Sequence, residues 1–458
     1  MRFVHYFTIL FFICSSAVAQ TDSLSYTEFL DIVISEHPVV SQAGLVRNIG
    51  DAEVQAARGA FDPRFEVDYK EKEYKGTEYY DLLDAQLQVP MWYGLKLKGG
   101  FQQNQGAYVN PQNKVPEPGL FQAGVVLSVG EGLWINSRMA GLRKAQAYRD
   151  QSRAEQQLMI NDILLDASFV YFEWLRAHQK LQIFEDFLEN ANERYRGIRR
   201  GAQMGEVAGI DTVEASLNIQ KRRLQANQAI VELRKKRLEL STYLWDQDQP
   251  LILQEQVRPV TTEEVFRTLI SEIPEANLDT HPQLEFYRRK IEALQIEKRY
   301  RINQLLPKID LEYNFLSEEP ENFETFNASA YKAGVKFSMP LFLRRERGDL
   351  KIAEFELQDA KLELNLKDNQ LQAKINALEQ QLQAFLEQIE MTEQMVVDSN
   401  ALLQAEVRKF NFGESSIFLI NTRETRFIEA RLEQLDLQVK YLKTQAEYLQ
   451  ALGRNPVQ

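Results

Sequence analysis

Four imidazoles and one thiol are the groups of this 458-residue chain best suited to chemistry: His5, His37, His178, His281 and Cys14. Metal binding or hydrolysis needs such groups at fixed spacing. The sequence has no H-E-x-x-H, no G-x-S-x-G and no G-x-x-x-x-G-K-[ST] run, so zinc-assisted hydrolysis, a nucleophile elbow and a phosphate loop have no carrier. His37 and His281 each precede a proline at the head of a helical pattern and read as helix-start markers. His178 lies beside the apolar seam of a long helix, where packing is its expected role. Carboxylates abound, as charged helix faces require. Asp211 sits in the first turn of a helix, where the macrodipole favours an acid. No catalytic, cofactor-binding or metal residue is assigned, and the chain is read as a protein that is not an enzyme.

The amino terminus reads as an export signal. Arg2 supplies the positive charge, Phe7 to Ile13 the apolar run, and Ala17-Val18-Ala19 before Gln20 a small-residue cleavage site. The run is too short to span a bilayer, and an uncleaved anchor is the lesser alternative. Ile13 stands where a lipoprotein signal would place a small residue before Cys14. Cleavage after Ala19 would remove Cys14 and leave a mature chain without thiolate or disulfide chemistry. No later stretch approaches 18 consecutive apolar residues, so no helical membrane span is expected. The net charge of −12 argues against nucleic acid as a partner.

The elements that must position any site repeat themselves. His37-Pro38 opens a helical stretch ending near Phe61-Asp62-Pro63, before an alternating segment from Phe65; His281-Pro282 opens one ending at Leu306-Pro307, before a second alternating segment. The stretch from Gln122 matches that from Lys332, and the one from Gly205 matches that from Gly413. Four landmarks in one order make a duplicated unit: helix, strands, long helix, glycine turn, helix.

The long helices carry heptads. Ile163, Val170, Ala177, Phe184, Ala191 and Ile198 stand seven apart, with Ala167, Trp174, Leu181, Leu188 and Tyr195 four residues on. Leu217, Leu224, Val231 and Leu238 continue the period. In the second half it runs through Ile375, Leu382, Ile389, Val396, Leu403 and Phe410, then Ile428, Leu435, Leu442 and Leu449. Such seams call for helices side by side at shallow angles. Met139 to Gln203 would run roughly 95 Å, a length suited to a tube or rod. The strands alternate instead: Ile309, Leu311, Tyr313 and Phe315 against Lys308, Asp310, Glu312 and Asn314, with Tyr331 to Phe337 and Phe65 to Tyr69 built alike. This is membrane-barrel patterning. Too few strands exist to close a barrel alone, so partner chains must hide the edges.

This combination, which covers nearly all of the mature chain, resembles the TolC-like outer membrane efflux protein family. The resemblance implies a mainly α fold with a membrane β-barrel portion, built as a homotrimer with a shared barrel and an α-helical tube. It implies the outer membrane, with a large periplasmic portion, as the location. It further implies contact with outer-membrane lipid, a periplasmic adaptor (membrane fusion) protein and an inner-membrane transporter, with no cofactor because the transporter supplies energy. The function implied is the channel of a tripartite efflux or type I secretion system. Gly205 and Gly413, with Ser416, are then the periplasmic tips that dock the adaptor. Asp211, six positions after Gly205, matches an acid often present in the family, and Glu214 follows. Where some members carry two aspartates after the second glycine, this chain has Leu419 and Thr422, so an acidic constriction falls to Asp211 and Glu214. The competing reading is a periplasmic coiled-coil adaptor or scaffold, which shares heptads but should carry lipoyl-like β segments around one hairpin.

On this frame residues 1–19 are the signal and 20–245 the first repeat, with barrel strands about 63–130 and long helices about 135–245. Residues 246–280 form an equatorial linker. Residues 281–453 are the second repeat, with strands about 307–341 and long helices about 345–453, followed by a tail at 454–458. The strand count per chain has two readings. Leu83 to Val89 and Leu95 to Lys98 alternate around a turn at Pro90 to Gly94, with Trp92 and Tyr93 placed for an aromatic girdle. Six strands per chain would follow, with Asn110 to Pro118 as an external loop. The resemblance implies four, with residues 73–119 as a decorated external loop, and the balance falls on four.

Overall fold

The computed structural model describes residues 23–270, 278–319 and 329–454. The export signal, with its cleavage site, Cys14 and His5, lies outside the described residues.

Local signals set the helix starts. Ser25 caps α1 (Tyr26–Glu36) in a capping box with Glu28. His37 caps α2 (Pro38–Arg58) and His281 caps α6 (Pro282–Asn303). In each case the ring Nδ1 accepts from the backbone N–H two residues on, at 3.2 and 3.1 Å, and the proline takes the first helical position. The two histidines are therefore equivalent structural caps. Asn136 caps α3 (Ser137–Met204), with Met139 N–H donating to its side chain at 2.9 Å. The second long helix, α7 (Arg344–Asn411), also has 68 residues, and each runs about 100 Å. The return helices α4 (Gly209–Ser241) and α8 (Ile417–Ala451) are about half as long, and a short α5 (Thr262–Ile270) lies between the repeats.

In one half of the helical body α2, α3, α6 and α7 lie side by side in that order; in the other the order is α4, α3, α8, α7. Both long helices thus run through both halves. The core sits where α1 meets the middle of α3: Tyr26, Phe29, Tyr171, Phe172 and Trp174 are buried together. Tyr26 Oη lies 2.8 Å from Ser168 Oγ, and Tyr171 Oη donates to Leu24 O at 2.8 Å. Ser23–Leu24 pairs in parallel with Arg258–Pro259, tying the start of the first repeat to the inter-repeat segment.

Beyond the helices lies one six-stranded antiparallel meander: β1 (Arg64–Tyr74), β2 (Thr77–Pro90), β3 (Leu95–Gln105), β4 (Leu120–Gly130), β5 (Lys308–Ser317) and β6 (Tyr331–Ser338). Spatial order follows chain order, although α3, α4, α5 and α6 intervene between β4 and β5. The four-strand expectation is overturned. Residues 77–105 are a hairpin within the sheet, paired to β1 on one side and β4 on the other. The overlooked signal is Lys75-Gly76, both at positive φ, the conformation that two-residue hairpin turns demand.

The heptads of α3, α7 and α8 are packed: Ala167, Trp174, Ala177, Phe184, Ala191, Ile375, Leu382, Ile428, Leu435 and Leu442 are buried. The leucines of the α4 heptad are not. Its inner seam is Ala215, Ile219, Arg222, Ala226 and Ala229, while Leu217, Leu224, Val231 and Leu238 point outward. Alanines bring α4 close to α3, and the larger side chains on the opposite face have nothing to pack on within the chain.

The histidine caps predict an acid-sensitive body. Burial lowers the pKa of both rings below the ordinary histidine value. Their capping contribution is present above that ordinary value and is lost as pH falls through the lower folded-state value, because a protonated Nδ1 cannot accept. Between about pH 7 and pH 5 the thermal midpoint of the helical signal should fall. In the double variant His37→Asn/His281→Asn, whose caps do not titrate, the fall should be smaller, by the equivalent of roughly 1 kcal/mol of stability per cap. Equal acid dependence in the two proteins would show that the rings do not carry it.

Candidate functional site

The sheet has two chemically different faces, and the register shows that they are continuous. On one face Phe65, Val67 and Tyr69 of β1 stand level with Leu87, Ala85 and Leu83 of β2. The same face continues through Leu97, Gly99 and Phe101 of β3 to Val125, Ala123 and Phe121 of β4. It ends on Leu311, Tyr313 and Phe315 of β5 and Val335, Ala333 and Tyr331 of β6. Phe65, Val67, Leu87, Leu97, Val125, Val335 and Phe337 are exposed. Water does not sustain an apolar face of six strands, whereas lipid does. At the tilt of membrane barrels, the ten residues of β5 cover about 25 Å, the height of the lipid-facing band.

The opposite face is polar and internally bonded. Lys98 Nζ lies 2.8 Å from Glu312 Oε1, Ser128 Oγ donates to Asp310 at 2.6 Å, and Gln102 and Gln86 both donate to Asp84 Oδ2, at 3.1 and 2.9 Å. Lys70 pairs with Asp68 at 2.6 Å. Such a face suits a water-filled lumen. Its inner turn is Met91 to Gly94, where Trp92 stacks on Phe61 with ring centroids 5.0 Å apart. Among the described residues no helix is long and apolar enough to cross a membrane.

At the far end of the helices the two glycine turns lie together. Ile198 of α3, Ala215 of α4 and Ile417 of α8 form one buried cluster. Gly205 and Gly413 take φ of +84° and +78°, and the N–H after each bonds back to Gly201 O and Lys409 O, both at 2.9 Å. These are left-handed helix caps, a conformation that costs other residues roughly 1–2 kcal/mol. Ser416 starts α8, with Leu419 N–H donating to its Oγ at 3.4 Å. Around the turns Met204, Ile210, Val213, Phe412, Phe418 and Leu419 are exposed.

Asp211 lies half-buried in the first turn of α4. Glu214 accepts from Asn421 Nδ2 at 3.1 Å, and Asn421 Oδ1 in turn accepts from Asn218 at 2.9 Å, so Glu214 is tied to α8.

A buried ion network next to the tips was not read from the sequence. Arg222 and Glu424 are both fully buried, with Arg222 Nε 3.1 Å from Glu424 Oε1. Arg194 of α3 holds the other carboxylate oxygen at 2.5 Å, and Arg222 also donates to Thr425 Oγ1 and Gln225 Oε1. One carboxylate thus joins α3, α4 and α8. An arginine at an inner heptad position among alanines was the available signal. Glu424→Gln should cost about 3–5 kcal/mol of unfolding free energy, because it leaves Arg222 buried without an anion. Adding Arg222→Met should restore much of that. Strictly additive losses in denaturant unfolding would show that the two side chains are not coupled.

Residues 274–454 match the sequence model of the family described as outer membrane efflux protein. No curated protein sequence matches. In fold the chain is similar to the Campylobacter jejuni CmeC outer membrane channel (14% identity, 93% of this chain and 85% of that one, TM-score 0.64). It is also similar to the Vibrio cholerae outer membrane protein VceC (14%, 94% and 96%, TM-score 0.64). The open state of the Neisseria gonorrhoeae MtrE outer membrane channel is a third (12%, 94% and 90%, TM-score 0.63). The second repeat thus matches the outer membrane efflux protein family in sequence, and the fold of almost the whole chain is that of outer membrane channels.

Proposed function

We propose that three copies of this chain form one duct that carries substrates from an inner-membrane transporter and its periplasmic adaptor to the exterior. The chain is an outer-membrane efflux channel protein, with its sheet in the membrane and its helices in the periplasm. The observation that carries the duct reading is the division of one sheet into an unbroken apolar face and a polar one. A periplasmic adaptor would have no use for the apolar face, which sets that alternative aside. Channel conduction also needs no reacting group, in keeping with a family of channels.

The trimer reading rests on the edges. The sheet ends on β1 and β6, one helical layer on α2 and α7, and the other on α4 and α7. Apolar side chains crowd these edges: Leu45 and Ile49 on α2, Leu224 and Val231 on α4, and Phe355, Leu362, Met391 and Met395 on α7 are exposed. A contact of α7 with α2 and α4 of the next copy is heterologous, and it closes into a ring by rotation. Leu224→Glu/Val231→Glu should then leave a chain that shows no trimer by native mass measurement in mild detergent; an intact trimer would refute the assigned contact.

Docking of the adaptor is assigned to the Gly205 and Gly413 turns, with Ser416 and the exposed apolar side chains around them. Asp211 is the candidate constriction acid, with Glu214 held back by Asn421. Open space surrounds both glycines, so a bulky side chain fits there at the cost of a strained φ. Gly205→Trp and Gly413→Trp should therefore keep trimers in the outer membrane and abolish efflux. Undiminished transport by both variants would end the docking assignment.

A further inference from the structure

The apolar band ends on two strand edges with unpaired backbone groups. Among the described residues β1 pairs only with β2 and β6 only with β5. In hydrocarbon neither edge can stay open, because no water is there to bond its N–H and C=O groups. The two edges are also complementary. β1 runs away from the helices and β6 runs back toward them, so side by side they are antiparallel, as every other pair in the sheet is.

We propose that β6 of one copy pairs with β1 of the next, closing an eighteen-stranded barrel from six strands of each of three copies, with Phe337 opposite Phe65 and Val335 opposite Val67. The proposal rests on the trimeric duct reading and adds the strand count, the mating edges and the register. The register follows from the strand bases. Within the chain the helix-side ends are flush where β4, β5 and β6 meet, with Gly130 opposite Lys308 and Lys308 opposite Ser338. The same rule sets Ser338 opposite Arg64 of the neighbouring copy. Apolar then meets apolar, and on the lumen side Lys336 faces Glu66, Gly334 faces Asp68, and Lys332 faces Lys70, which already pairs with Asp68.

The register also fixes the stagger, and the stagger agrees with membrane-barrel geometry. Following partners across the sheet from Arg64 leads through Gln88, Lys98, Gly124 and Asn314 to Lys332. Lys332 would face Lys70, six residues up β1, so the stagger is six per copy. Over strands spaced about 4.8 Å apart, that stagger gives a tilt of about 35°, within the range of membrane barrels. Width agrees as well. Six strands at this tilt span about 35 Å of circumference, close to the roughly 32–40 Å that four helices packed about 8–10 Å apart would span. The hairpin at residues 77–105, which carries no helix of its own, thus makes the sheet as wide as the helical layer beneath it. The exit is about 33 Å across at the backbone, half again as wide as four strands per chain would give at the same tilt.

The test is a cysteine pair in the full-length protein, in a Cys14→Ser background. Asp68→Cys with Gly334→Cys places two lumen-side residues opposite each other within disulfide reach. On oxidation in outer-membrane fractions, most of the monomer band should shift to covalent dimer and trimer, and neither single variant should shift. The offset pair Lys70→Cys/Lys336→Cys should stay uncoupled. A trimer that is intact by native mass measurement yet forms no disulfide between positions 68 and 334, or couples the offset pair instead, overturns the barrel while leaving the duct standing. Absence of a trimer from the outer membrane would overturn the duct itself. Electron cryomicroscopy of the unmodified trimer is the independent reading: eighteen strands are expected, and twelve with residues 77–105 off the barrel would refute the proposal.

Discussion

One constraint governs this molecule: its layers have edges and apolar faces that the chain cannot cover by itself. A sheet in lipid cannot leave backbone groups unbonded, and long helices with apolar side chains on two opposite faces cannot stand alone in water. The chain accordingly presents the same leading and trailing sides in the membrane sheet and in both helical layers. In the trimer we propose, assembly completes a fold that is unfinished at the level of one chain.

The duplication explains how so long an object is specified by local rules. Each repeat uses the same devices: a histidine cap before a proline, a helix into the sheet, a 68-residue helix out of it, a left-handed glycine, and a return helix. Where the repeats differ, the difference has a geometric use. The first gives four strands and the second two, and in the proposed barrel the additional hairpin widens the sheet to the arc of the helices. At the other end the buried Arg222–Glu424 pair, with Arg194, ties α3, α4 and α8 together.

Charge placement separates two kinds of polar surface. The lumen face of the sheet pairs its charges along and across strands, as between Lys98 and Glu312, leaving a polar but compensated wall. At the helical tips exposed apolar side chains stand among charges of both signs, with Phe412 and Met204 near Arg408, Arg200, Glu206 and Glu414, and the apolar groups favour a protein partner over open solvent.

The sequence by itself determined the element types, the duplication, the tip glycines and the alternating strands, because each rests on a short-range rule: a period of 3.5 or 2, a cap, or a turn residue. It determined neither which apolar stripe of α4 faces inward nor whether Leu83 to Leu97 is wall or loop. Both stripes of α4 have the same period, so only packing against α3 could assign Ala215 and Ala226 inward and Leu224 outward. The hairpin alternates as a loop decoration or a barrel strand would, and only its pairing on both sides, to Phe65 and to Val125, made it part of the wall. Arg222 and Glu424 stand 202 residues apart, and only the tertiary fold brought them within 3.1 Å.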